Sequence, residues 1–380
     1  MKLPLIQPAV WVDQPHKLRA MIEEIHHHQI LAVDTESNSL FAYREQVCLI
    51  QFSTPARDFL VDPLAINDLT PLGEIFASPR IEKIFHAAEY DIICLKRDFG
   101  FEFAHLFDTM MAGRIVGRGE IGLASMLEDQ FGVHLNKRYQ RANWGRRPLD
   151  ESMREYAQFD THFLIPLRNC LRDELANSGR WELAQEDFIR LCDTSVPQPE
   201  SDLADCFKLV GKNDLSAQQM TVLYELYQYR ERRAQAADLP TFKVISNQAL
   251  VNIAHALPST YQQLEDIDDL SPKVAQRHAD GLLAAVQQGL TRPPISRPAY
   301  NRKPDEAYLI RMEAMRNWRK STGLEMGVPS DVVLPRDILY DIVSANPQTE
   351  EALQQTMRSV PWRFEHFGTQ ILSVLHRLEE

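Results

Sequence analysis

Residues 223–264 recur without a gap 89 positions later, as residues 312–353. The identities fall at Arg230/Arg319, Pro240/Pro329, Val244/Val333, Leu250/Leu339, Ile253/Ile342, Ala256/Ala345, Pro258/Pro347, Thr260/Thr349 and Leu264/Leu353. Most are apolar residues or prolines, the positions that set a shared core and shared helix boundaries. The spacing is helical throughout, so the C-terminal half reads as one small helical domain present twice. That leaves roughly the first 200 residues to form a separate domain.

The N-terminal part alternates strand and helix signals. Residues 16–28 read as an amphipathic helix; ILAVDTE, QVCLIQFST, FLVDP and IEKIFHA read as strands, and EYDIICLKRDF as the helix after them. Only the short polar link SNSLFAYRE separates the first two of these strands, which makes them antiparallel neighbours, while later ones need crossovers. The expectation is a mixed sheet flanked by helices. The segments TSVPQPESD from Thr194 and TRPPISRPAYNRKPDE from Thr291 read as linkers, the second semi-extended because of Pro293, Pro294, Pro298 and Pro304. The expected boundaries are 1–200, 211–292 and 300–380.

With 44% hydrophobic residues in 380, the chain can bury two or three proper cores. The start, MKLPLIQPAVWVDQPHK, places prolines and charges where a secretory signal needs an apolar run, and no membrane-length apolar stretch follows. Cys48, Cys94, Cys170, Cys192 and Cys206 are odd in number and form no CxxC pair, which argues against a disulfide framework or a zinc site and for a reducing cytoplasm. A net charge of −12 argues against a protein that coats nucleic acid by bulk positive charge. It leaves room for an enzyme that spends acids on metals.

Such acids are present. Asp34 and Glu36 lie two apart on a strand and share a face, with Leu31 and Val33 on the other. Adjacent carboxylates repel unless a cation lies between them; the alternative is a solvated strand end. Asp91 falls in the first turn of the helix after KIFHA, where an acid suits the helix dipole whether or not it binds anything. Tyr156 and Asp160 stand four apart in LDESMREYAQFDTHFLIPLRNCL, read as one long helix, and so share a face. Taken together, four carboxylates can hold hard divalent cations and support phosphodiester cleavage. Three other features read as structural: His26, His27 and His28 as a polar helix face, Asp108 as an N-cap, and Asp62 as a strand-end turn residue.

Between the second and third acidic motifs, NKRYQRANWGRRPLD carries Lys137, Arg138, Arg141, Arg146 and Arg147 with Tyr139 and Trp144 interleaved, and no acid from His134 through Leu149. Bases of this kind neutralise phosphates and aromatics stack on single-stranded bases. Lys137, Arg138, Tyr139, Gln140, Arg141, Trp144 and Arg147 are the candidate contacts to a nucleic-acid strand.

The ordered set of Asp34 and Glu36, Asp91, and Tyr156 with Asp160 resembles the DEDD exonucleases, and the tyrosine resembles their DEDDy subgroup. His162 follows Asp160, unlike the histidine of the other subgroup. Gln140, Trp144 and Arg147-Pro148-Leu149 resemble the matching segment of the ribonuclease D family, and the duplicated helical unit resembles the HRDC domain. The resemblance implies an α/β, RNase H-like N-terminal domain followed by two small all-α HRDC-like domains. It implies a 3′-to-5′ exoribonuclease using two divalent cations, Mg²⁺ or Mn²⁺, with Asp34 bridging them, Glu36 and Asp160 completing the first site, Asp91 supporting the second, and Tyr156 orienting water. It also implies tRNA precursors with 3′ extensions and other structured small RNAs as substrates; a cytoplasmic location, no membrane partner and a monomer complete the expectation. The competing expectations are an inactive clamp or adaptor and a DNA-editing 3′-to-5′ exonuclease. Nothing in the residues themselves separates RNA from DNA.

Overall fold

The computed structural model describes residues 5–198, 201–210, 215–295 and 305–378. Six strands, β1 (Val10–Val12), β2 (Ile30–Ser37), β3 (Val47–Ser53), β4 (Asp58–Val61), β5 (Glu82–Phe85) and β6 (Leu106–Asp108), form one sheet in the order β1-β4-β3-β2-β5-β6. β2, β3 and β4 form an antiparallel meander, while β5 joins β2 and β6 joins β5 in parallel, and β1 pairs parallel with β4. The mixed sheet expected from the short link after β2 is what forms.

Helices α1 (Pro15–Ile25), α2 (Thr70–Ala77) and α3 (Glu89–Phe99) accompany α4 (Thr109–Val116), α5 (Leu123–Phe131), α6 (Glu151–His162), α7 (Leu164–Asn177) and α8 (Trp181–Cys192) around that sheet. Alternation along β2 divides two cores: Leu31 and Val33 join one with α1, α2 and α3, whereas Ala32 joins another with α4, α7 and α8. Two sequence expectations need correction. The segment read as one long helix is two, broken at Phe163 (φ −100°, ψ 0°). Pro166 explains the break, since it lacks the N–H that would continue the ladder from α6. His26, His27 and His28 follow the end of α1 rather than forming one of its faces.

The chain separates into two compact units. One contains residues 38–46 and 197–302: α9 (Asp202–Val210), α10 (Ala217–Ala237), α11 (Thr241–Val244), α12 (Asn247–Ala256), α13 (Tyr261–Glu265) and α14 (Pro272–Thr291). In this unit Tyr43 donates its hydroxyl to Glu231 and its N–H to Asp238, and Lys243 lies 4.2 Å from the Phe41 ring centroid. The other unit holds the sheet domain together with residues 303–380, the second repeat. That repeat comprises α15 (Glu306–Met326), α16 (Ser330–Val333), α17 (Arg336–Ala345), α18 (Glu350–Thr356) and α19 (Pro361–His376). In the first linker Pro199 and Glu200, and in the second Pro298 and Pro304, lie outside the described residues.

Every helix of the second repeat starts 89 residues after its counterpart, and α10 and α15 have the same 21-residue length. The shared arginine has a shared task. Arg230 donates to the carbonyl of Ile245 at 3.3 Å, and Arg319 to the equivalent carbonyl of Leu334 at 2.9 Å. Each closes the end of its long helix onto the turn before the next, satisfying a buried backbone acceptor.

The second repeat shares a core with the sheet domain: Met315, Val333, Ile342 and Ile371 belong to the same apolar cluster as Leu167, Leu183 and Phe188. Arg363, wholly buried in α19, forms a bidentate pair with Asp187 at 2.8 and 2.9 Å and also bonds Glu186. Arg180 donates to the carbonyls of Ile115 and Met326. Gly117, at φ +88°, meets the Gly327 carbonyl so closely that a Cβ there would stand 2.6 Å from it. Only a residue without a side chain fits both that conformation and that approach.

Candidate active site

The site forms where β2 leaves the middle of the sheet. Asp34 and Glu36 point to the same face, and α6 packs across β2, β3 and β4 on the sheet. α6 is fixed there by buried polar contacts: Ser53 with Thr161 at 2.7 Å, and Asp58 with both Gln158 at 2.6 Å and His162 at 2.7 Å. His162 is therefore an anchor of the helix. With α6 held this way, Tyr156 and Asp160 reach the β2 acids.

Asp34, Glu36 and Asp160 each present a carboxylate oxygen, and the three oxygens lie within 4.8 Å of one another. Asp91 stands beside them at the start of α3 and accepts a hydrogen bond from Thr35 Oγ1 at 2.5 Å. The loop that delivers it is stapled by Asp108, which caps α4 by accepting from the Met111 N–H at 2.9 Å and also accepts the Ala88 N–H at 2.6 Å. Asp108 is thus the N-cap its sequence position suggested. Asp34, Glu36 and Asp160 line a cavity of about 400 Å³ together with Tyr156, His86, Ser125, Asn136, Lys137 and Gln140, and Asp91 is buried behind them.

Electrostatics make this a site that wants cations. Burial, and next the fields of Asp91, Asp160 and Glu36, push the Asp34 carboxyl well above the usual range; burial and then Asp160 and Asp91 do the same to Glu36. Burial pushes both Asp91 and Asp160 up to about 7. Among the described residues none of the four acids forms a salt bridge with Lys, Arg or His. All-oxygen donors that repel one another and lack a protein counter-ion fit hard divalent cations such as Mg²⁺ or Mn²⁺. Gln51, paired in register with Asp34 on the same face, adds a fully buried side-chain amide with no hydrogen-bond partner among the described residues. It offers one donor and one acceptor group beside the cluster.

These shifts give a signed expectation. Folded Asp91 and Asp160 hold their protons up to about pH 7, whereas the unfolded chain releases them near pH 4. The folded state binds more protons across that window, so without cations its stability falls as pH rises from about 4 to 7. Cations bind the deprotonated acids and oppose that fall. The rise in melting temperature on adding Mn²⁺ is expected to be on the order of 5 °C at pH 8 and much smaller at pH 5.5. Differential scanning fluorimetry at both pH values checks it; an equal or larger shift at pH 5.5 would show that Mn²⁺ binds elsewhere.

Tyr156 is held by aromatic neighbours, with ring centroids of Tyr139 and Trp144 each 5.9 Å away. Burial and the nearby acids drive its phenol pKa far upward, so it keeps its proton at any working pH. It can orient a ligand through a neutral hydroxyl and cannot serve as a base.

The basic-aromatic segment divides on inspection. Lys137 and Gln140 line the cavity, and Arg138 and Arg141 are exposed. Tyr139 is half-buried and bonds Ser152 at 2.8 Å. Trp144 and Arg147 must be withdrawn from the RNA contacts. Trp144 is 1% exposed, packed with Cys48, Leu60 and Met153, and has no face left for a base. Arg147 makes a bidentate pair with Asp62, both bonds 2.7 Å, and gives its remaining donors to the carbonyls of Cys48, Trp144 and Arg146. Together they build the small core against which Tyr156 rests. Asp62 keeps its turn bond to the Leu64 N–H and gains this second role.

Two residues at the site escaped the sequence reading. Gln51 could have been found as the one polar residue inside VCLIQFS, ahead of its terminal serine, in a strand buried along its whole length. His86 follows directly on β5, and nothing in FHAAEYD distinguishes it from a surface histidine.

The 3′-5′ exonuclease family profile matches residues 9–176, and the HRDC domain profile matches residues 219–286 and 309–375. Protein RRP6-like 1 of Arabidopsis thaliana is 30% identical over 329 residues, 82% of this chain and 52% of that protein. Exosome complex exonuclease RRP6 of Saccharomyces cerevisiae is 33% identical over 265 residues, 66% of this chain and 36% of that protein. The chain thus spans about half or less of these curated relatives. Among solved structures, Escherichia coli RNase D, described as an exoribonuclease involved in structured RNA processing, superposes with a TM-score of 0.71 at 26% identity, covering 98% of this chain and 99% of that one. The catalytic core of RRP6 from Trypanosoma brucei gives 0.65 at 27% identity, covering 76% and 83%.

Proposed function

The chain is a 3′-5′ exonuclease domain of the RNase D and RRP6 type joined to two HRDC domains, and from that premise we propose that it removes nucleotides one at a time from the 3′ ends of RNA. The observation that carries the reading is the convergence of Asp34, Glu36 and Asp160 within 4.8 Å in a cavity that Tyr156 also lines, with Asp91 near enough for its charge to act on theirs.

Asp34, Glu36, Asp91 and Asp160 would hold the divalent cations, which when bound supply an activated water and neutralise charge on the scissile phosphate. The chain's own residues do the rest. Tyr156, always protonated, positions the attacking water or the phosphate by its hydroxyl. Lys137, at the cavity rim, faces the incoming backbone, and Gln140 offers an amide for the same strand. Arg138, Tyr139 and Arg141 extend that path outward. Water adds to phosphorus, the bond to the preceding sugar's O3′ breaks, and a nucleoside 5′-monophosphate leaves. The shortened strand keeps a 3′-hydroxyl for the next round.

The proposed substrates are tRNA precursors with 3′ extensions and other structured small RNAs, supported by the likeness to E. coli RNase D over nearly the whole of both chains. We place the protein in a reducing cytoplasm as a monomer. Among the described residues none of the five cysteines forms a disulfide, and no helix is long and apolar enough to cross a membrane.

The test follows a 5′-labelled RNA with an unpaired 3′ tail and its DNA counterpart in Mg²⁺ or Mn²⁺. A ladder shortening from the 3′ end, lost with chelator, is the expected result. Tight binding without shortening of either strand would favour the clamp, and preference for the DNA would favour an editing exonuclease.

A further inference from the structure

The acids explain hydrolysis and leave the choice of sugar open. A terminal ribonucleotide differs from a deoxyribonucleotide by one hydroxyl, which is both donor and acceptor. Reading it takes a polar group that reaches the terminal sugar and is not committed to cations.

His86 is such a group. It lies at the end of β5, half-buried, in the wall of the same cavity as Asp34 and Glu36. Its Nδ1 is 2.9 Å from Thr109 Oγ1, and Thr109 is wholly buried. A hydroxyl has one proton, and Thr109 gives its proton to the Phe85 carbonyl at 3.0 Å. Toward His86 it can therefore only accept, which puts the histidine proton on Nδ1. Burial lowers the pKa of the ring, against the pull of Asp108, so the neutral form prevails. Nε2 is then a bare lone pair, and it has no protein partner among the described residues.

A lone pair of fixed direction selects by charge and by proton. It accepts from a hydroxyl and is repelled by a phosphate oxygen, so it suits the sugar and not the backbone. Ser125, Asn136 and Gln140 also carry acceptors in the cavity wall, and what sets His86 apart is a lone pair whose direction the buried Thr109 fixes. Thr35 gives its proton to Asp91, the acids are drawn to cations, and Lys137 has donors only.

We propose that His86 Nε2 accepts a hydrogen bond from the 2′-hydroxyl of the 3′-terminal nucleotide, and that Thr109 sets the tautomer that makes this possible. His86 is then the residue that gives this site its preference for RNA. The inference rests on the exonuclease reading above and adds its sugar specificity.

The test compares three 5′-fluorescein oligoribonucleotides: one all-ribo, one 2′-deoxy at the terminal nucleotide alone, and one 3′-deoxy there. Release of the first nucleotide is followed in single turnover with Mg²⁺, and binding by anisotropy with Ca²⁺. For the wild type, losing the 2′-hydroxyl is expected to slow release and weaken binding by about tenfold, the effect of one lost hydrogen bond at the upper end of its range. In His86→Phe the all-ribo strand should fall to the level of the 2′-deoxy strand, which itself stays unchanged, so the ratio collapses to about one. Thr109→Val, nearly isosteric in its buried site, should narrow the ratio even if the phenylalanine variant fails to fold.

A ratio unchanged in both variants overturns the inference. So does an equal fall on both strands, which would make His86 a support for the acids, or a wild-type preference that follows the 3′-hydroxyl instead. A wild type that shortens no strand at all would sink the exonuclease reading, a separate outcome.

Discussion

Asp34→Asn is expected to slow single-turnover release of the 3′-terminal nucleotide by on the order of a thousandfold, about 4 kcal/mol of transition-state stabilisation. Asp34 lies at the centre of the cluster: its carboxyl feels the fields of Asp91, Asp160 and Glu36 together. Removing its charge weakens cation binding and also lowers repulsion, so the variant should fold at least as stably as the wild type without cations. Tyr156→Phe should cost far less, about 10- to 100-fold, because a neutral hydroxyl contributes orientation and its ring packing against Tyr139 and Trp144 survives. Rates under saturating Mg²⁺ check the order. A larger loss from the tyrosine variant would move it from positioning to the chemistry itself, and the roles of Asp34 and Tyr156 would have to be exchanged.

Arg363→Met is the second large effect, and it falls on stability. Burial opposes the charge on this arginine, yet Asp187 and Glu186 together outweigh that and hold its pKa above the ordinary value. Burial raises Glu186 despite the arginine, so the bidentate bond to Asp187 is the better-matched half of the triad. Taking away the cation leaves two buried acids facing each other, at a cost of about 3–5 kcal/mol. Adding Glu186→Gln and Asp187→Asn should recover much of it, since the loss comes chiefly from stranded charge. Denaturant unfolding of the three proteins checks both statements. An unchanged midpoint for Arg363→Met would mean that the triad adds nothing to the union of the second repeat with the sheet domain.

Much of the fold was legible because it rests on local periodicity. The strand with Asp34 and Glu36, the helix with Tyr156 and Asp160, and the duplicated helices all declare themselves in spacing alone. The acids were legible for a chemical reason: carboxylates gathered in one cavity make sense only with cations. Trp144 and Arg147 misled because their fate depends on partners far away in sequence. An arginine among other basic residues looks free until Asp62, 85 residues earlier, is seen to hold it. His86 was silent because its meaning lies in a proton's location, which only the Thr109 hydroxyl and the Phe85 carbonyl reveal. The break at Phe163 was within reach, since Pro166 stood in plain view.

Duplication gave two copies of one module, and the position of Arg363 shows how they parted. Its counterpart in the first repeat is Val274, a residue that asks for no acidic partner. The second copy thereby ceased to be interchangeable with the first. Grafting residues 272–291 in place of 361–380 would supply a helix that starts in the same register, yet leave Asp187 and Glu186 without their cation. A protein truncated before Glu306 would fare worse, removing the second repeat's half of the shared core and uncovering the side of α8 that α19 packs on. Shortening this chain from its C-terminus is therefore an experiment on the foundation of the nuclease itself, and a loss of activity after such a cut says nothing about RNA binding.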